Sequence, residues 1–468
     1  MHRLTRLLMA FAVLWAATAQ PAAAQSLLRD AETEAFFRDA AKPLIIAAQL
    51  DPKSVDIVLL QDKSINAFVA GGQRVYVHSG LIAEADNVGQ LQGVIAHELG
   101  HVAGGHVISI GEGVKVATGI SLLSLVLGAA AMAAGAGEAG AAIMQMGQAA
   151  AQGKFLSFSR TQEATADQAG AKYMNAAGIS GAGTIAFFKK LQNMEFRYSI
   201  PQDNGYARTH PLNGERIAAL ENVFVASSAW KKPDDAKLEA RFERIKAKLV
   251  GFTEDKNRVL TLYPESDQRE PALYARAYGW HRAGYPDRSA REVEKLVARE
   301  PHDPYYLELQ GQILLETGKP REALTPLRQA VAEAPDQPLI AATLGHALIS
   351  TEDSKYFGEA KQLLRTAVNR DNSNPFAWYQ LGIVYAREGD EPRAALATAE
   401  RYNLQGEPRL AHRNAEMAMA GIPTGTPDWL RAQDIAIVSC SDIFRDANGK
   451  QRSDRPRRGY EACAESKK

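Results

Sequence analysis

His97, Glu98 and His101 stand at a spacing that can bind a metal ion and hydrolyse a bond. The segment Gly93–His101 is predicted to be helical, and residues four apart on a helix project from the same face. The two imidazoles can therefore bind one metal ion, while Glu98 is placed to take a proton from a metal-bound water. This His-Glu-x-x-His pattern predicts a hydrolytic metal site.

A catalytic zinc site needs a third protein ligand, and the sequence offers two patterns for it. The metzincin pattern requires a histidine where Val107 stands, and His106 is one residue early, so this pattern is rejected. Glu163 and Asp167 lie four residues apart and are predicted to share a helix face. Glu163 can bind the metal, while Asp167 can accept the remaining ring N–H of a ligand histidine and fix its tautomer.

Composition excludes several other kinds of protein and of metal site. The 468 residues allow about three domains, and 46% hydrophobic with 23% charged residues is typical of a globular chain. Lys and Arg number 54, as do Asp and Glu, so net charge gives no reason to expect a nucleic-acid partner. Cys440 and Cys463 are the only cysteines, which excludes a Cys-rich zinc module.

Residues 1–24 have the pattern of a signal peptide for export. Arg3 and Arg6 precede an apolar stretch, Leu7–Ala19, that is too short to span a bilayer. The small residues Ala22-Ala23-Ala24 then predict cleavage before Gln25, and a retained membrane anchor is the alternative. The mature chain is expected outside the cytoplasm, where Cys440 and Cys463 can pair.

Residues 25–255 mix helical and strand-like patterns and are predicted to form the domain that carries the metal site. Ile65–Val69 and Arg74–His78 flank a turn that contains two glycines, which is typical of a β-hairpin. We therefore predict an α+β chain, whose first domain is mainly helical and has a small sheet.

Residues 267–422 are predicted to form an α-solenoid of tetratricopeptide repeats. Gly311 and Gly345 are 34 residues apart, and Trp378-x-x-Leu381-Gly382-x-x-Tyr385 is the first-helix signature of such a repeat. Solenoids of this kind have a concave surface that binds peptides or proteins. The remaining residues, 423–468, are predicted to be a C-terminal tail.

Together the motifs resemble the HtpX-like zinc metalloendopeptidases, a gluzincin family. The matching segments are His97–His101, Ser159–Asp167, Asn66–Val69 and Val75–Val77. With the export signal and the repeats, the sequence is most similar to the BepA-like periplasmic members. The resemblance implies a zincin-type fold, protein or peptide substrates, and a periplasmic role in quality control and assembly of outer-membrane proteins. The repeats would then bind the envelope assembly machinery.

The resemblance also implies roles for individual residues. It implies one zinc ion held by His97, His101 and Glu163, with Glu98 as the general base. It further implies an edge strand on which the substrate lies extended, formed by Asn66, Ala67, Phe68 and Val69. An edge strand can align a peptide by main-chain hydrogen bonds.

His210 precedes Pro211, which biases it toward an extended backbone and places it in a loop. The resemblance implies that this segment returns to the zinc ion. His210 would then either occupy the fourth coordination position or donate a hydrogen bond to the developing oxyanion. An exposed loop imidazole is the third alternative. We favour the fourth position, because a latent resting state suits an exported protease that meets many unfolded chains.

The segment 116–153 is apolar, and its first 22 residues, Val116–Gly137, carry no charge. That length can span a bilayer. A single crossing is excluded, however, because His101 and Glu163 must meet at one metal ion on the same side. Glu138 and Gln145 disfavour a second crossing. We therefore expect an apolar flap that contacts a membrane or a partner protein.

A chaperone-like assembly scaffold is the alternative function for this chain. Such a protein would use the repeats while the metal site stays latent. The intact Glu98 favours an enzyme, because a scaffold does not need a base beside the two imidazoles.

Overall fold

The computed structural model describes residues 26–133, 136–197, 210 and 214–448, and the predicted signal peptide lies outside them. The chain divides into two compact units. The first unit contains Phe37–Glu239 and the chain up to Leu28, and the second contains Arg29–Phe36 and the chain from Ala240.

A four-stranded sheet lies in the first unit. Its strands are β1 (Ser26–Leu28), β2 (Asp56–Gln61), β3 (Ala67–Ala70) and β4 (Arg74–His78). Their order is β1–β2–β4–β3, with β2 parallel to β4 and both outer strands antiparallel to their neighbours. β3 and β4 form the predicted hairpin, and Gly71 and Gly72 supply the positive φ angles of its turn, 62° and 98°. β3 is therefore an edge strand.

The helices up to residue 225 are α1 (Ala31–Ala47), α2 (Ser79–Glu84), α3 (Val88–Ala103), α4 (His106–Ala133), α5 (Gly137–Ala177), α6 (Ala182–Arg197) and α7 (Gly214–Val225). α3 is the helix that contains the His-Glu-x-x-His motif. The side chain of Asn87 starts it by accepting a hydrogen bond from the backbone N–H of Gln90. Every residue of α3 from Val88 to His101 is buried, so its polar side chains face the protein interior.

α3 and α5 cross at a close contact between glycines. A Cβ atom on Gly100 would lie 2.6 Å from the carbonyl oxygen of Ala166, and one on Gly170 would lie 3.0 Å from the backbone of Ala96. Real Cβ atoms essentially never lie closer than 3.0 Å to such atoms, and a distance of 3.0 Å is tighter than nine in ten real contacts. The absence of a side chain at both positions therefore lets the two backbones meet, one turn away from Glu163.

α4 and α5 pack against each other as an antiparallel helical hairpin, which we call the apolar hairpin (residues 106–163). Gly113 faces Phe158, and further along Ser124 faces Gly147, so the contact positions run in opposite directions on the two helices. Among the described helices, α4 alone is long and apolar enough to cross a membrane, judged by length and composition. α5 returns the chain to Glu163, as the topological argument requires.

The helices from residue 236 onward are α8 (Ala236–Thr253), α9 (Lys256–Leu262), α10 (Glu270–Arg282), α11 (Pro286–Arg299), α12 (Pro304–Glu316), α13 (Pro320–Glu333), α14 (Pro338–Ser350), α15 (Phe357–Arg370), α16 (Pro375–Arg387), α17 (Glu391–Leu404), α18 (Pro408–Gly421) and α19 (Pro427–Asn448). Most of these helices begin with proline, which has no backbone N–H to leave unpaired in a first turn. From α10 onward they pack as consecutive pairs.

The 34-residue period corresponds to a repeated contact within these pairs. A Cβ on Gly311 would lie 2.3 Å from Cγ of Leu327, and one on Gly345 would lie 2.7 Å from Cγ of Leu364. Each glycine therefore lets the second helix of its pair pack closely on the first. The predicted α+β fold, with a small sheet followed by helical repeats, is confirmed.

The helical stack continues beyond residue 422 into the segment predicted to be a tail. α19 packs against α18, and its Ala432, Ile435 and Ala436 are buried there. Cys440 on α19 is buried and disulfide-bonded. Its predicted partner Cys463 lies outside the described residues, as does the chain from residue 449 onward.

The first turn of α1 belongs to the second unit and is held there by buried ion pairs. Glu32 pairs with Arg244 and, at 3.2 Å, with Lys248, whose ammonium also lies 2.5 Å from Asp30. The hydroxyl of Tyr274 donates a hydrogen bond of 2.8 Å to Glu32. Buried charges stay stable only when paired, so these contacts fix residues 30–32 to α8 and α10.

Replacing Gly100 by Ala should weaken both the fold and metal binding. The added methyl group would push the backbone at Ala166 away, which costs about 1–3 kcal/mol in the free energy of unfolding. Denaturant titration and zinc titration of the purified protein measure both effects. Gly119→Ala is the matched control, because nothing lies within 4 Å of its Cβ position. Equal stability and equal zinc affinity of the two variants would contradict the role of the crossing.

Candidate metal centre

Four buried side chains from three parts of the first unit meet at one point. α3 contributes His97 and His101, α5 contributes Glu163, and His210 comes from the chain between α6 and α7. Each offers one potential ligand atom, and these atoms all lie within 4.8 Å of one another. The structure therefore brings the three predicted ligands together and places His210 beside them, buried rather than exposed. Pro211 lies outside the described residues.

The distances within this cluster match those between the ligands of a tetrahedral metal ion. Nε2 of His97 lies 3.1 Å from Nε2 of His101, 3.2 Å from Nδ1 of His210 and 3.4 Å from Oε2 of Glu163. Glu163 in turn lies 3.5 Å from Nε2 of His101 and 3.1 Å from Nδ1 of His210. Ligands about 2.0–2.1 Å from a tetrahedral zinc ion are separated from one another by roughly 3.3 Å.

A carboxylate fixes the orientation of His97 from the side away from this cluster. Nδ1 of His97 lies 2.9 Å from Oδ1 of Asp167, which is the contact that the sequence predicted for Asp167. The other ring nitrogen, Nε2, thereby points into the cluster. A carboxylate at this position sets the tautomer of a metal-binding histidine and raises the basicity of its free nitrogen.

Two residues that sequence reasoning did not assign support the cluster from outside. Arg216 on α7 donates two hydrogen bonds to Asp167, at 2.7 and 2.9 Å, and lies 3.3 Å from Glu163. His106 lies with Nδ1 2.9 Å from Nδ1 of His101. Gly105, with a φ of 62°, makes the turn that brings His106 back to His101. The only sequence signal for His106 was its proximity to the motif, and Arg216 had none.

Glu98 occupies the interior next to the cluster. Both of its carboxylate oxygens are buried, and neither has a hydrogen-bond partner among the residues that the structure describes. Nε2 of His210 lies 3.5 Å from Oε1 of Glu98. A buried carboxylate without hydrogen bonds is costly, so its position needs a functional explanation.

The electrostatics of the site favour a positive charge between the carboxylates. Burial disfavours a charged His97, but Asp167 and Glu163 outweigh it and raise the pKa of His97 to about 10. Burial also disfavours the Glu163 anion, yet hydrogen bonds with His210 and His97 hold its pKa well below its usual range. Burial, with the neighbouring His97 and His210, lowers the pKa of His101 to about 2, while burial raises that of Glu98.

The donor set suits a divalent metal ion. Imidazole nitrogens and one carboxylate are the ligands that zinc takes in hydrolytic sites. The two anionic carboxylates, Glu163 and Asp167, would balance the charge of such an ion. His97, His101 and Glu163 would hold it, and Nδ1 of His210 stands at the fourth corner.

The predicted substrate strand lies beside the helix that carries the motif. β3 contacts α3 and forms the outer edge of the sheet. The strand spans Ala67–Ala70 rather than beginning at Asn66, but the carbonyl of Asn66 still accepts a hydrogen bond of 3.0 Å from the backbone N–H of His78. The ladder therefore includes all four predicted residues.

Comparison with known proteins places these motifs in one family. Residues 27–223 match the model of Peptidase family M48. The "Beta-barrel assembly-enhancing protease" of Escherichia coli (strain K12) is 28% identical over 357 residues, 74% of this chain and 71% of that protein. The protein of the same name from Yersinia pestis is 25% identical over 356 residues, 75% of this chain and 71% of that one. These matches confirm the family resemblance that the motifs predicted.

Solved structures of repeat proteins match part of the chain weakly. "Crystal structure of YrrB: a TPR protein with an unusual peptide-binding site" is 18% identical, with a TM-score of 0.31, and covers 39% of this chain and 94% of that one. "Crystal structure of MamA" is 18% identical, with a TM-score of 0.28, and covers 36% and 96%. The assignment of repeats rests on the helix pairs and their 34-residue spacing instead.

Arg216→Gln should lower the affinity for zinc by about 10–100-fold, the effect typical of removing a residue that orients metal ligands. The substitution removes the two hydrogen bonds to Asp167 and the charge beside Glu163. Competition with a chelator measures the affinity. Arg160→Gln is the control, because Arg160 is exposed on α5 and bonds only to its own helix at Leu156. An unchanged affinity in Arg216→Gln would contradict the supporting role.

Proposed function

We propose that this chain, whose residues 27–223 match Peptidase family M48, is an exported zinc endopeptidase that cleaves misfolded or unfolded envelope proteins. The observation that carries the proposal is the buried cluster of His97, His101 and Glu163 with Glu98 beside it. The pattern of a signal peptide at residues 1–24 supports export to the periplasm.

Glu98 is the proposed general base. Zinc bound by His97, His101 and Glu163 would supply a Lewis acid that lowers the pKa of a bound water to about 7. Glu98 is buried without hydrogen bonds from described residues, so its oxygens are available to accept the proton of that water. Burial raises the pKa of Glu98, which makes it a better proton acceptor than an exposed glutamate.

The edge strand β3 is the proposed binding site for an extended substrate. In its ladder with β4, Asn66 bonds to His78, and the pairing places Phe68 opposite Tyr76. Backbone groups of an antiparallel strand alternate between its two sides. Ala67 and Val69 therefore direct their N–H and C=O groups toward the open edge. An added strand can bond there irrespective of its sequence, which favours unfolded chains as substrates.

The biological role proposed here is quality control during assembly of outer-membrane proteins. Support comes from relatives named beta-barrel assembly-enhancing proteases, which align with about three quarters of this chain. The repeats would bind partners in the assembly machinery through their concave surface. A scaffold without proteolysis is the second candidate, and the closed position of His210 is the observation that favours it.

Glu98→Gln should abolish cleavage while zinc binding persists. The substitution keeps the size of the side chain and removes the proton acceptor, so the rate should fall by at least about 10²–10⁴-fold. Cleavage of an unfolded outer-membrane barrel protein and zinc content per chain are measured on the same sample. Glu112→Gln, an exposed carboxylate on α4, is the control and should cleave normally. Retained cleavage by Glu98→Gln would refute the proposed mechanism, and cleavage by neither wild type nor control would favour the scaffold.

His210 is proposed to hold the enzyme in a latent state. Its Nδ1 stands at the fourth corner of the ligand cluster, and its Nε2 faces Glu98 at 3.5 Å. His210 therefore occupies the position that a metal-bound water would take, and it also lies against Glu98, the proposed base. A catalytic zinc site needs that fourth position open, so His210 must move before cleavage.

His210→Ala should retain zinc through three ligands and raise basal cleavage or self-cleavage above wild type. Gel assays over time, together with zinc content, detect both. The double variant Glu98→Gln with His210→Ala is the control and should be inactive. Loss of activity with zinc retained would instead indicate that His210 donates a hydrogen bond to the developing oxyanion. Unchanged cleavage and zinc content would show that His210 is a loop residue without a role in the site.

A further inference from the structure

The apolar hairpin exposes large apolar side chains on most of its surface. The exposed positions on α4 include Ile108 (85% exposed), Val126 (64%) and Leu123 (61%), and Leu122, Leu125 and Leu127 are exposed as well. Successive residues of a helix are rotated by about 100°, so the run from 122 to 127 faces every outward direction. An isolated apolar patch on a soluble protein covers one face of a helix. Here the apolar surface covers every side of α4 that does not pack against α5.

Small residues fill the interior of the same hairpin. A Cβ on Gly128 would lie 2.6 Å from the carbonyl oxygen of Gly140, and one on Gly147 would lie 1.9 Å from Cβ of Ser124. The helices therefore meet through glycine and serine, with Met132, Met144 and Phe158 packed against the glycines, while leucine and valine point outward. In water, a helical pair packs its large apolar side chains inside. In lipid, helices associate through small residues and leave large apolar side chains on the outside, as this hairpin does.

Charged residues lie at the two ends of the apolar surface, with Glu138 at the start of α5 and two lysines at the opposite end. Lys115 on α4 and Lys154 on α5 are both exposed, and the contacts of Gly113 with Phe158 place them at the same level. From Val116 to Ala133, α4 has no charge over 18 residues, or about 27 Å. Lysines at this level can contact phosphate groups of lipids while the apolar part enters the acyl region.

One polar row distinguishes α5 from α4. Gln145, Gln148 and Gln152 are exposed and recur at intervals of three and four residues, so they share one side of α5. α4 has no such row between Val116 and Ala133. The hairpin therefore has one side suited to water and the remaining surface suited to lipid.

We propose that the apolar hairpin is an interfacial membrane anchor. α4 lies among the acyl chains of one leaflet, the glutamine row of α5 faces the headgroups and water, and Lys115 and Lys154 mark the interface. Lipid is the occupant because it can cover all outward directions of α4, whereas a groove on a protein covers one face. A crossing of the bilayer is disfavoured because α5 would have to return through the acyl region, where Glu138 and the glutamine row would be costly.

This anchor is continuous with the metal centre. α5 runs without a break from the hairpin through Glu163 to Asp167, and α4 begins five residues after His101. Membrane binding would therefore hold the proposed active site close to the lipid surface. The proposal does not depend on peptidase activity, and its test uses the Glu98→Gln background so that a failed mechanism cannot affect the result.

Vesicle flotation of the full mature chain tests the proposal. Vesicles of phosphatidylethanolamine and phosphatidylglycerol should carry the protein upward, and concentrated NaCl should not release it. Leu123→Arg with Val126→Arg should lower the bound fraction by about tenfold or more, since arginine is strongly disfavoured inside lipid. Gln145→Arg with Gln148→Arg is the matched control on the same hairpin and should float like the parent. Circular dichroism and zinc content show that both variants are folded.

Five outcomes would overturn the proposal. Loss of flotation in both double variants would mean that the hairpin crosses the bilayer. Release by salt would mean adsorption of Lys115 and Lys154 to lipid headgroups only. No flotation of the parent would show that α4 does not bind the membrane. Flotation of both double variants at the level of the parent would show the same. Self-association of the parent that only Leu123→Arg with Val126→Arg abolishes, without flotation, would make the hairpin an interface between copies.

Discussion

The contact on which the candidate metal centre depends is the crossing of α3 and α5 at Gly100 and Gly170. The motif on α3 supplies two imidazoles, but one helix face cannot complete a tetrahedral set. Glu163 lies 62 residues further along the chain than His101 and becomes their neighbour only because the two backbones come into contact. A side chain at Gly100 would force the backbone at Ala166 to shift, and one at Gly170 would require a smaller shift of the backbone at Ala96. The packing at these two glycines therefore determines whether His97, His101, Glu163 and His210 can meet.

The charges of the site depend on this geometry in turn. Glu163, Asp167 and Glu98 are all buried, and such a group of carboxylates would be unstable without compensating positive charge. Arg216 supplies part of this positive charge at Asp167, and the histidines face the other carboxylates. Asp167 and Glu98 differ in their contacts, because Asp167 is held by His97 and Arg216 while Glu98 has no hydrogen bond from the described residues. Asp167 is therefore fixed and ionised, whereas Glu98 keeps the free oxygens that the proposed role as a base requires.

Local patterns in the sequence were sufficient to predict much of this arrangement. The spacing of His97 and His101, and that of Glu163 and Asp167, follows from one turn of a helix, so each pair could be placed before the fold was known. The repeats were predictable because Gly311 and Gly345 make the same contact in successive pairs. Arg216 could not be predicted, since its contacts depend on how α7 packs against α5. His106 was rejected as a ligand on spacing, and the turn at Gly105 gives it a place behind His101 instead.

The length of α5 joins the apolar hairpin to the metal centre. Its 41 residues extend over about 61 Å, so one helix carries both the inner face of the hairpin and the carboxylates of the site. The crossing with α3 lies near the C-terminal end of α5, within one turn of Glu163, whereas the exposed apolar surface lies toward the other end. A tilt of the hairpin about the crossing would therefore displace the far end of α5 most and Glu163 least. The same contact that brings Glu163 to the histidines thus also protects its position when the surroundings of the hairpin change.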